Sequence, residues 1–432
     1  MGINRRTFVA GTAAGLATAA AARRAAANEA GRTVVLALMG AHSRGSQLAE
    51  GFSKLSGVEF AYVCDPDERG LAKGIDAATF GDRRPRGVKD FREALDDPAV
   101  DGLVCAAPNH WHAAATVLAC AAGKHVYVEK PASQTPDEGQ RMIAAVQASG
   151  KAVQVGMQRR SGSLYRDAIE RVRQGAIGDV LLARSWYFRD RPSIGRRQPE
   201  APPAWLDYNL WQGPAPEEPY RENILPYHWH NFWHWGNGEL GNNGVHTVDR
   251  CRGPRGGAAP RRVTAAGGRY RYDDDQQTPD TMSVSWEFDG RTIVWDGLSW
   301  SPALAKTPAV GVELRGTTGT MRIDDGGCTL YDGAGKVVET VDGSRGDAEH
   351  LQNFLDAVRG DAQVQAPIAE GAASALLCHL GNIAYRAGRP VEVNPDGRPA
   401  DAALTAAYWA REYRPGWMPE TVAAADAERR AS

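Results

Sequence analysis

The chain has 432 residues, of which 43% are hydrophobic and 24% charged, so it can form a sizeable core and has room for two domains of ordinary size. This composition excludes a disordered protein and a protein built only of short repeats. Lys and Arg total 50 against 52 for Asp and Glu, which gives a net charge of −2 and argues against nucleic acid as a partner.

The first 30 residues have the features of an export signal. Arg5 and Arg6 stand directly before a weakly apolar stretch, rich in Ala and Gly, over 9–22. A paired arginine in this setting predicts a twin-arginine signal, which exports a protein already folded. The stretch is too short and too weakly apolar to cross ~30 Å of hydrocarbon as a permanent helix. We therefore expect a periplasmic or otherwise extracytoplasmic protein without a membrane anchor; the alternative is an Ala-rich N-terminus with no targeting role.

The next part of the chain alternates short apolar strands with helical stretches. We predict strands at 33–39, 58–65, 101–108 and 125–131, and helices at 90–97 and 113–123. This alternation is typical of a parallel sheet whose strands are joined by crossover helices. Residues 31–152 are therefore predicted to form a doubly wound α/β domain.

The turn after the first strand predicts a dinucleotide cofactor. Gly40 and Gly45 hold the first and third positions of a GxGxxG motif, and His42 replaces the middle glycine. Such a turn lets backbone amides and a helix N-terminus approach a pyrophosphate, so the side chain of His42 must point away from it. Asp65 ends the second strand 65 − 45 = 20 residues after the last glycine, where an acid binds the cofactor ribose. The alternative is a tight turn and a loop-capping acid with no cofactor.

The acid also bears on the choice of cofactor. A carboxylate at Asp65 repels a 2′-phosphate, which favours NAD over NADP. Arg44 and Arg69 are near in sequence and leave NADP open.

The second half reads as a sheet of strands at hairpin spacing. We predict strands at 180–189, 262–272, 281–288, 291–300 and 310–316, and helices at 350–360 and 370–388. The strands are too close together for crossover helices, so they are expected to be antiparallel. A Pro- and Trp-rich stretch at 190–236 lacks periodicity and is expected to cover the substrate site. The predicted domains are a substrate-binding and oligomerisation domain at 153–395 and a C-terminal extension at 396–432.

Four segments resemble the Gfo/Idh/MocA oxidoreductases. They are APNHWH at 107–112, AGKHVYVEKP at 122–131, GNGELGNNGVHTVD at 236–249 and LRGTTGTMRI at 314–323. The resemblance implies a Rossmann domain followed by an α/β domain with a large open, mainly antiparallel sheet. It also implies a nicotinamide cofactor, sugar or cyclitol substrates and, through the exposed sheet face, a homo-oligomer such as a dimer or tetramer. The export signal adds a likeness to the glucose-fructose oxidoreductase branch.

Lys130 is the first candidate for catalysis. It ends a strand at the carboxyl edge of the parallel sheet, the edge at which such sheets bind ligands. The resemblance implies that this lysine contacts both the nicotinamide ribose and the reacting hydroxyl. A lysine beside an oxidised nicotinamide should lose some proton affinity. The alternative is a solvated lysine at a strand end.

His246 is the second candidate, as the base that removes the hydroxyl proton. A helix predicted over 239–251 puts Asn242, His246 and Asp249 on roughly one side. In the family pattern an Asp stands four residues before the histidine, where this chain has Asn242. An asparagine can orient an imidazole but cannot stabilise an imidazolium as a carboxylate would. The alternative is a histidine that only packs in the helix.

Aromatic and histidine residues crowd the segment YHWHNFWHW at 227–235. His228, His230 and His234 have a spacing that arises easily by chance, and no nearby cysteine completes a zinc site, so we predict no metal. The six cysteines lie far apart and are expected to be reduced core residues. Several tryptophans could stack on sugar rings, and about half are expected to be plain packing.

These arguments define three sets of predicted site residues. The cofactor set is Gly40, His42, Ser43, Arg44, Gly45, Asp65, Ala107, Pro108, Asn109, His112, Glu129 and Lys130. The substrate set is Lys130, Trp229, Trp233, Trp235, Asn243, His246 and Asp249. The catalytic set is Lys130, His246 and Asn242.

The sequence thus predicts an exported NAD(P)-dependent oxidoreductase that moves a hydride between a sugar or cyclitol ring carbon and a tightly bound nicotinamide. Redox-assisted glycoside cleavage or epimerisation is an alternative reaction. A cofactor-bound carbohydrate sensor without turnover is an alternative of a different class.

Overall fold

The computed structural model describes residues 32–253, 258–304, 307–324, 326–419 and 424. The predicted export signal at 1–30 lies outside the described residues. No helix in the described ranges is long and apolar enough to traverse a bilayer. All six cysteines fall within these ranges, and each is buried with a free thiol.

The first domain is built on a six-stranded parallel sheet with the order β3-β2-β1-β4-β5-β6. The strands are β1 Val34–Met39, β2 Val58–Cys64, β3 Arg86–Val88, β4 Gly102–Cys105, β5 His125–Val128 and β6 Val153–Val155. Strand β1 is almost wholly apolar because helices cover both faces of a parallel sheet. Strand β6 pairs with β5, so this sheet continues beyond the boundary predicted at residue 152.

Helices join these strands as predicted for a doubly wound fold. They are α1 Ser43–Phe52, α2 Glu68–Ala77, α3 Arg92–Leu95, α4 Asn109–Ala121 and α5 Pro136–Ser149. Helix α5 begins with a capping box in which the side chains of Thr135 and Glu138 bond each other's backbone amides. Helix α4 begins four residues before the predicted start, directly after Pro108, whose fixed φ is compatible with a helix entry.

The second domain contains a nine-stranded sheet with the order β14-β13-β12-β11-β7-β10-β9-β8-β15. Its strands are β7 Val180–Phe188, β8 Arg262–Gly268, β9 Thr281–Phe288, β10 Arg291–Leu298, β11 Val310–Gly316, β12 Gly319–Asp324, β13 Gly327–Asp332, β14 Val337–Val341 and β15 Val391–Glu392. The prediction of antiparallel pairing is wrong for β7 and β10, which run parallel. The long segment after β7 lets this strand insert between two strands that follow it much later in the chain.

Helices of the second half pack on both sheets. They are α6 Ser163–Arg173, α7 Tyr208–Gln212, α8 Val245–Arg252, α9 Asp347–Arg359, α10 Ile368–Ala387 and α11 Ala402–Tyr408. Helix α9 returns to the first domain, where Leu351, Phe354 and Leu355 join the buried cluster of Phe52 and Tyr127. The first domain therefore takes part of its core from the end of the chain.

The segment between β7 and α8 has a small core of its own. The buried members of this cluster include Leu206, Trp211, Phe232 and Trp235. Such packing holds a long irregular segment in one place without a regular hydrogen-bond ladder.

Candidate active site

The turn between β1 and α1 brings backbone amides to the carboxyl edge of the first sheet. Gly40 has a φ of +82°, and a Cβ there would lie 2.6 Å from the amide nitrogen of Ala107. A Cβ on Gly45 would lie 1.8 Å from the carbonyl oxygen of Gly40. The side chain of His42 precedes α1 but does not cap its amides. An uncapped helix end beside two positions that admit no side chain fits the pyrophosphate of a dinucleotide.

The acids after β2 fix the shape of this turn. Asp65 is buried and accepts hydrogen bonds from the amides of Ala41 (2.7 Å) and Asp67 (2.9 Å). The Nε2 of His42 lies 2.9 Å from the Asp67 carboxylate. Burial opposes protonation of His42, but the hydrogen bond to Asp67 and the charge of Asp65 raise its pKa. Asp65 therefore lines the cavity while also holding the turn.

Residues 205–207, here called the strap, tie the second half of the chain to the same end of the cavity. The amide of Glu68 donates to the carbonyl of Trp205 (3.0 Å), and the amide of Asp207 donates to the carbonyl of Pro66 (3.0 Å). The guanidinium of Arg69 lies 3.3 Å from the centre of the Trp205 ring, a cation–π contact. The strap thus adds a layer beside the predicted ribose site.

Lys130 follows β5 at the same sheet edge. Its ammonium donates to the backbone carbonyl of Asn242 (2.7 Å) and to the Oδ1 of Asn242 (3.3 Å). The buried Glu129 pairs with Arg44, with 2.7 Å between Oε1 and Nε. Burial lowers the pKa of Lys130, although the negative charge of Glu129 opposes that shift. A partly desolvated lysine in hydrogen-bond contact can exchange a proton closer to neutral pH.

A polar network that the sequence did not predict continues from Lys130. The amide of Asn242 donates to the hydroxyl of Tyr227 (3.2 Å). The guanidinium of Arg191 donates to the hydroxyls of Tyr227 (3.3 Å) and Tyr187 (2.9 Å). This network connects the lysine of the first domain to strand β7 of the second.

Glu239 forms the far end of the network. Its carboxylate lies 2.8 Å from the Nε of Arg191 and accepts a hydrogen bond from Asn243 (2.6 Å). Burial disfavours the carboxylate, but the ring of His230 and the charge of Arg191 lower the pKa of Glu239 to about 2. The only sequence signal for Glu239 was its place inside the GNGELGNNG motif, three residues before Asn242.

The helix predicted over 239–251 contains a π-helical turn. The π turn is Leu240–Gly244, and helix α8 begins at Val245. A π turn adds a residue to the helical repeat, so the α-helical spacing of four no longer stacks Asn242 on His246. The prediction that Asn242 orients His246 is not supported, because Asn242 contacts Lys130 and Tyr227 instead.

His246 lies near the cavity but is not part of its wall. Its side chain is partly buried, and its ring makes no hydrogen bond with the described part of the chain. Burial and the positive charges of Lys130 and Arg250 lower the pKa of His246 well below its usual value. The imidazole is therefore neutral at pH 7, and the same shift makes it a weaker base than a free histidine.

Besides His246, three residues of the predicted substrate set lie away from the cavity wall. Asp249 is buried, pairs with Arg160 (2.7 Å) and accepts a hydrogen bond from Ser374 (2.6 Å), so its carboxylate is already used in packing α8. Trp235 belongs to the buried cluster of the segment between β7 and α8. Trp233 lines a second cavity. The remaining predicted residues Trp229 and Asn243 do line the first cavity.

Two of the three histidines of the 227–235 segment have separate hydrogen-bond partners. The Nδ1 of His230 bonds the carbonyl of Tyr227 (2.7 Å), and the Nε2 of His234 bonds the carbonyl of Pro216 (2.7 Å). Within the described ranges no three His, Cys, Asp or Glu side chains form a group suited to a metal ion. Absence of a metal requirement stays a prediction.

All twelve residues of the predicted cofactor set line one cavity. Its wall includes Gly40, His42, Ser43, Arg44, Gly45, Asp65, Ala107, Pro108, Asn109, His112, Glu129 and Lys130. The two ring nitrogens of His112 lie 2.7 Å from the carbonyl oxygen of Pro131 and 2.9 Å from that of Ala107, and the neutral ring can donate to one of them, so His112 shapes the wall. Tyr227 and Trp229 continue the wall beyond Lys130. The cavity can thus seat a dinucleotide on the turn and a small hydroxylated molecule beside the lysine.

Comparison with known proteins gives two family matches. Residues 17–157 match the profile of the oxidoreductase family with an NAD-binding Rossmann fold, Gfo/Idh/MocA. Residues 185–402 match the profile of the C-terminal alpha/beta domain of the same family.

Similar curated proteins include two dehydrogenases and a glycosyl hydrolase family 109 protein. Levoglucosan dehydrogenase of Pseudarthrobacter phenanthrenivorans is 28% identical over 165 residues, covering 38% of this chain and 35% of that protein. A glycosyl hydrolase family 109 protein of Shewanella pealeana is 27% identical over 163 residues, covering 37% and 36%. Inositol 2-dehydrogenase of Salmonella typhimurium is 29% identical over 148 residues, covering 34% and 43%. The chain therefore spans less than half the length of these relatives.

Solved structures with low sequence identity share the fold. WlbA dehydrogenase from Bordetella pertussis, in complex with NADH and UDP-GlcNAcA, has a TM-score of 0.65 at 18% identity, covering 84% of this chain and 99% of that one. Levoglucosan dehydrogenase, in complex with NADH and levoglucosan, has a TM-score of 0.65 at 19% identity with the same coverage. The two family matches span both domains, so this chain belongs to the Gfo/Idh/MocA oxidoreductases, with an NAD-binding Rossmann domain at its N-terminal side.

Proposed function

We propose that this protein oxidises or reduces a ring hydroxyl of a sugar or cyclitol with a nicotinamide cofactor that stays bound. The observation that carries the proposal is the position of Lys130, in one cavity with the free amides of α1 on one side and Tyr227 and Trp229 on the other. The relatives named above include dehydrogenases of levoglucosan and inositol, which supports this class of substrate.

Three side chains would have different roles around the reacting hydroxyl. When bound, the nicotinamide supplies the hydride acceptor. Lys130 would hold the hydroxyl oxygen through its ammonium, in place of its present bond to Asn242. His246, held neutral, would accept the departing proton directly or through one water. The flat ring of Trp229 offers a stacking face for the sugar C–H bonds.

NAD is the proposed cofactor, and export is the proposed route to its place of work. The buried carboxylate of Asp65 disfavours a 2′-phosphate. Arg5 and Arg6 support transfer of the folded, loaded protein out of the cytoplasm, which cell fractionation can test. The exposed apolar side chains of Leu181, Val337 and Val338 on the open sheet support a homo-oligomer.

Mass spectrometry of the purified protein after denaturation tests the proposal first. We expect release of NAD, and then absorbance changes of the bound nicotinamide when a panel of sugars and cyclitols is added. A protein that carries no dinucleotide, and binds neither NAD nor NADP by calorimetry, would contradict the proposal. Bound cofactor without any absorbance change across the panel would instead favour the carbohydrate sensor.

Redox-assisted glycoside cleavage is the second candidate, favoured by the likeness to a glycosyl hydrolase family 109 protein. Oxidation of one hydroxyl to a ketone acidifies the neighbouring C–H, the aglycone leaves by elimination, water adds, and the hydride returns to the ketone. The cofactor ends in its starting state. Release of the aglycone from an aryl glycoside with no net change in nicotinamide absorbance would distinguish this reaction from simple dehydrogenation.

A further inference from the structure

A second cavity of about 530 Å³ lies outside the active site. It is bounded by the start of α5, the 233–237 segment, α10 and residues 406–412. Its volume is within the range of small-molecule sites. None of its wall residues belongs to the wall of the cavity that contains Lys130.

Arg386 occupies the aromatic side of this cavity. Its guanidinium lies 5.1 Å from the centre of the Trp233 ring and 4.5 Å from that of Tyr408. The two rings restrict the guanidinium plane, while Arg386 makes no ion pair or hydrogen bond with any residue that the structure describes. Partial burial lowers the pKa of Arg386, which shows that its charge is incompletely solvated. A guanidinium held flat with its donors free is suited to bidentate recognition of an oxyanion.

Helix α10 adds a polar side chain to the wall one turn before Arg386, and residues 406–412 add another. Asn382 is only 6% exposed and donates its amide to the carbonyl of Asn237 (3.0 Å). Its Oδ1 accepts no hydrogen bond from the described ranges of the chain, so this acceptor is available to a ligand hydroxyl in the cavity. Arg411 adds a second guanidinium, bonded to the side chain of Gln134.

The charge balance of the cavity favours an anion. Arg386 and Arg411 face one carboxylate in the wall, that of Glu412, and neither guanidinium forms an ion pair with it within the described residues. The buried carboxylate of Glu138, behind the wall, acts on Arg411 and leaves Arg386 as the cation available to a ligand. The aromatic faces of Trp233 and Tyr408, together with a free amide acceptor, are also what a sugar ring requires.

We propose that this cavity binds a sugar that carries a carboxylate, with the carboxylate on Arg386, the ring against Trp233 and a hydroxyl on the Oδ1 of Asn382. Trp233 thereby acquires a role in carbohydrate binding at a site separate from the reaction.

Calorimetry with D-glucuronate, and D-glucose as the neutral counterpart, tests the proposal on the protein with its cofactor bound. We expect measurable binding of glucuronate and at least tenfold weaker binding of glucose. Arg386→Gln should weaken glucuronate binding roughly 10- to 100-fold, because a charge-assisted bidentate contact is lost. Arg386→Lys should keep part of the affinity, since the charge remains without the planar fork.

Two further variants make the test sharper. Glu412→Gln should tighten glucuronate binding several-fold, because it removes a repelling carboxylate. Arg166→Gln, on α6 and outside both cavities, should leave binding unchanged and serves as the matched control. NAD content should be unaffected in all four variants.

Several results would overturn the proposal. Equal binding of glucuronate and glucose, or unchanged binding in a folded Arg386→Gln variant, would remove the role of Arg386. Loss of binding in Lys130→Ala but not in Arg386→Gln would put glucuronate in the active site. Displacement of glucuronate by inorganic phosphate at equal affinity would overturn the assignment to a sugar.

Discussion

Lys130 and His246, the two proposed catalytic side chains, both have a lowered pKa, and the shift has a different consequence for each. Burial lowers the pKa of the lysine, so its proton is held less tightly, while the lysine charge and burial keep the histidine neutral. One group is therefore suited to hold an oxygen that becomes more basic, and the other to receive a proton.

The first prediction concerns these two side chains. Lys130→Ala or His246→Ala should slow reduction of the bound nicotinamide ~100- to 10,000-fold, the usual contribution of a general acid or base. Because the two groups act on one proton, the double variant should be far less impaired than the product of the single effects. Pre-steady-state absorbance is the measurement, since slow product exchange can hide the chemical step.

Lys336→Ala, at an exposed hairpin, is the matched control and should react at the wild-type rate. Cofactor content should survive in His246→Ala. Wild-type rates in both single variants would contradict the catalytic assignment.

The second prediction concerns Asp65. Asp65→Ala should weaken NAD more than NADP, because it removes a predicted ribose hydrogen bond and relieves repulsion of a 2′-phosphate. Asp65 also holds the amides of Ala41 and Asp67, so some loss will be common to both cofactors. The ratio of the two dissociation constants, measured by calorimetry, isolates the ribose part; an unchanged ratio means that Asp65 does not face the ribose.

Residues next to strand ends were the ones that sequence could predict. Gly40, Asp65 and Lys130 each follow a strand of the parallel sheet, and chain order alone puts them on one edge. Arg191 and Tyr227 lie in a segment without periodicity, so no sequence rule places them beside Lys130. Their position depends on the tertiary packing of the segment between β7 and α8.

At the scale of elements, the π turn at Leu240–Gly244 decides which side chains meet. Sequence predicted a helix here but could not predict the extra residue in its repeat, because a π turn has no clear composition signal. Five of the nine strands of the second sheet, β7 to β11, were predicted, four of them to within two residues at each end, since alternation marks strands well. Strands β12 to β15 were not predicted. The parallel pairing of β7 with β10 was missed, because pairing partners are set by the whole chain rather than by local spacing.

The third prediction follows from the contact between Asn242 and Lys130. Asn242→Asp should raise the pKa of Lys130, because a carboxylate beside the ammonium favours its charged form. The pH profile of nicotinamide reduction should then shift to higher pH. Asn394→Asp, at an exposed turn of the second domain, is the control and should leave the profile in place. A shift in the control, or none in Asn242→Asp, would contradict this link.

At the scale of the whole molecule, buried neutral histidines connect stability to pH. Burial lowers the pKa of His350 to about 4 and that of His379 to about 3, from an ordinary value of 6.5. His110 and His112 are shifted in the same direction for the same reason. Each ring binds a proton more readily in the unfolded chain than in the folded one.

The fourth prediction is a loss of stability in mild acid. The stability due to these neutral rings is fully present above pH 6.5 and is lost as the pH falls from there toward the folded pKa values. Each histidine contributes a slope of up to ~1.4 kcal/mol per pH unit in the free energy of unfolding. Denaturant unfolding measured from pH 7.5 to 4.5 should show uptake of more than one proton; a flat profile would contradict it.

The order of the two domains could be predicted from the sequence, but their shared core could not. Alternating strands and helices indicated the first domain, and the hairpin-spaced strands indicated the second. Helix α9 lies far along the chain yet packs with Phe52 and Tyr127 of the first domain. Nothing in its amphipathic pattern shows which sheet its apolar face covers.

The fifth prediction concerns the strap at residues 205–207. Trp205→Ala should speed the release of NAD by removing the ring that stacks on Arg69. The measurement is the loss of bound-NADH fluorescence after addition of excess NAD. Tyr272→Ala, at a cation–π pair with Arg271 outside the cavity wall, is the control. An unchanged release rate in Trp205→Ala would show that the strap does not hold the cofactor.

The strap would also set the residence time of the cofactor, because a change in the polypeptide would have to precede its release. Two backbone hydrogen bonds and one stacked guanidinium join residues on either side of the cavity end, and a dinucleotide held beneath them would need a local opening in order to leave. Residence time would then follow the frequency of that opening rather than the strength of the cofactor contacts. Such an opening rate would set how many reaction cycles one cofactor molecule serves, which is what the proposed export of the loaded protein requires.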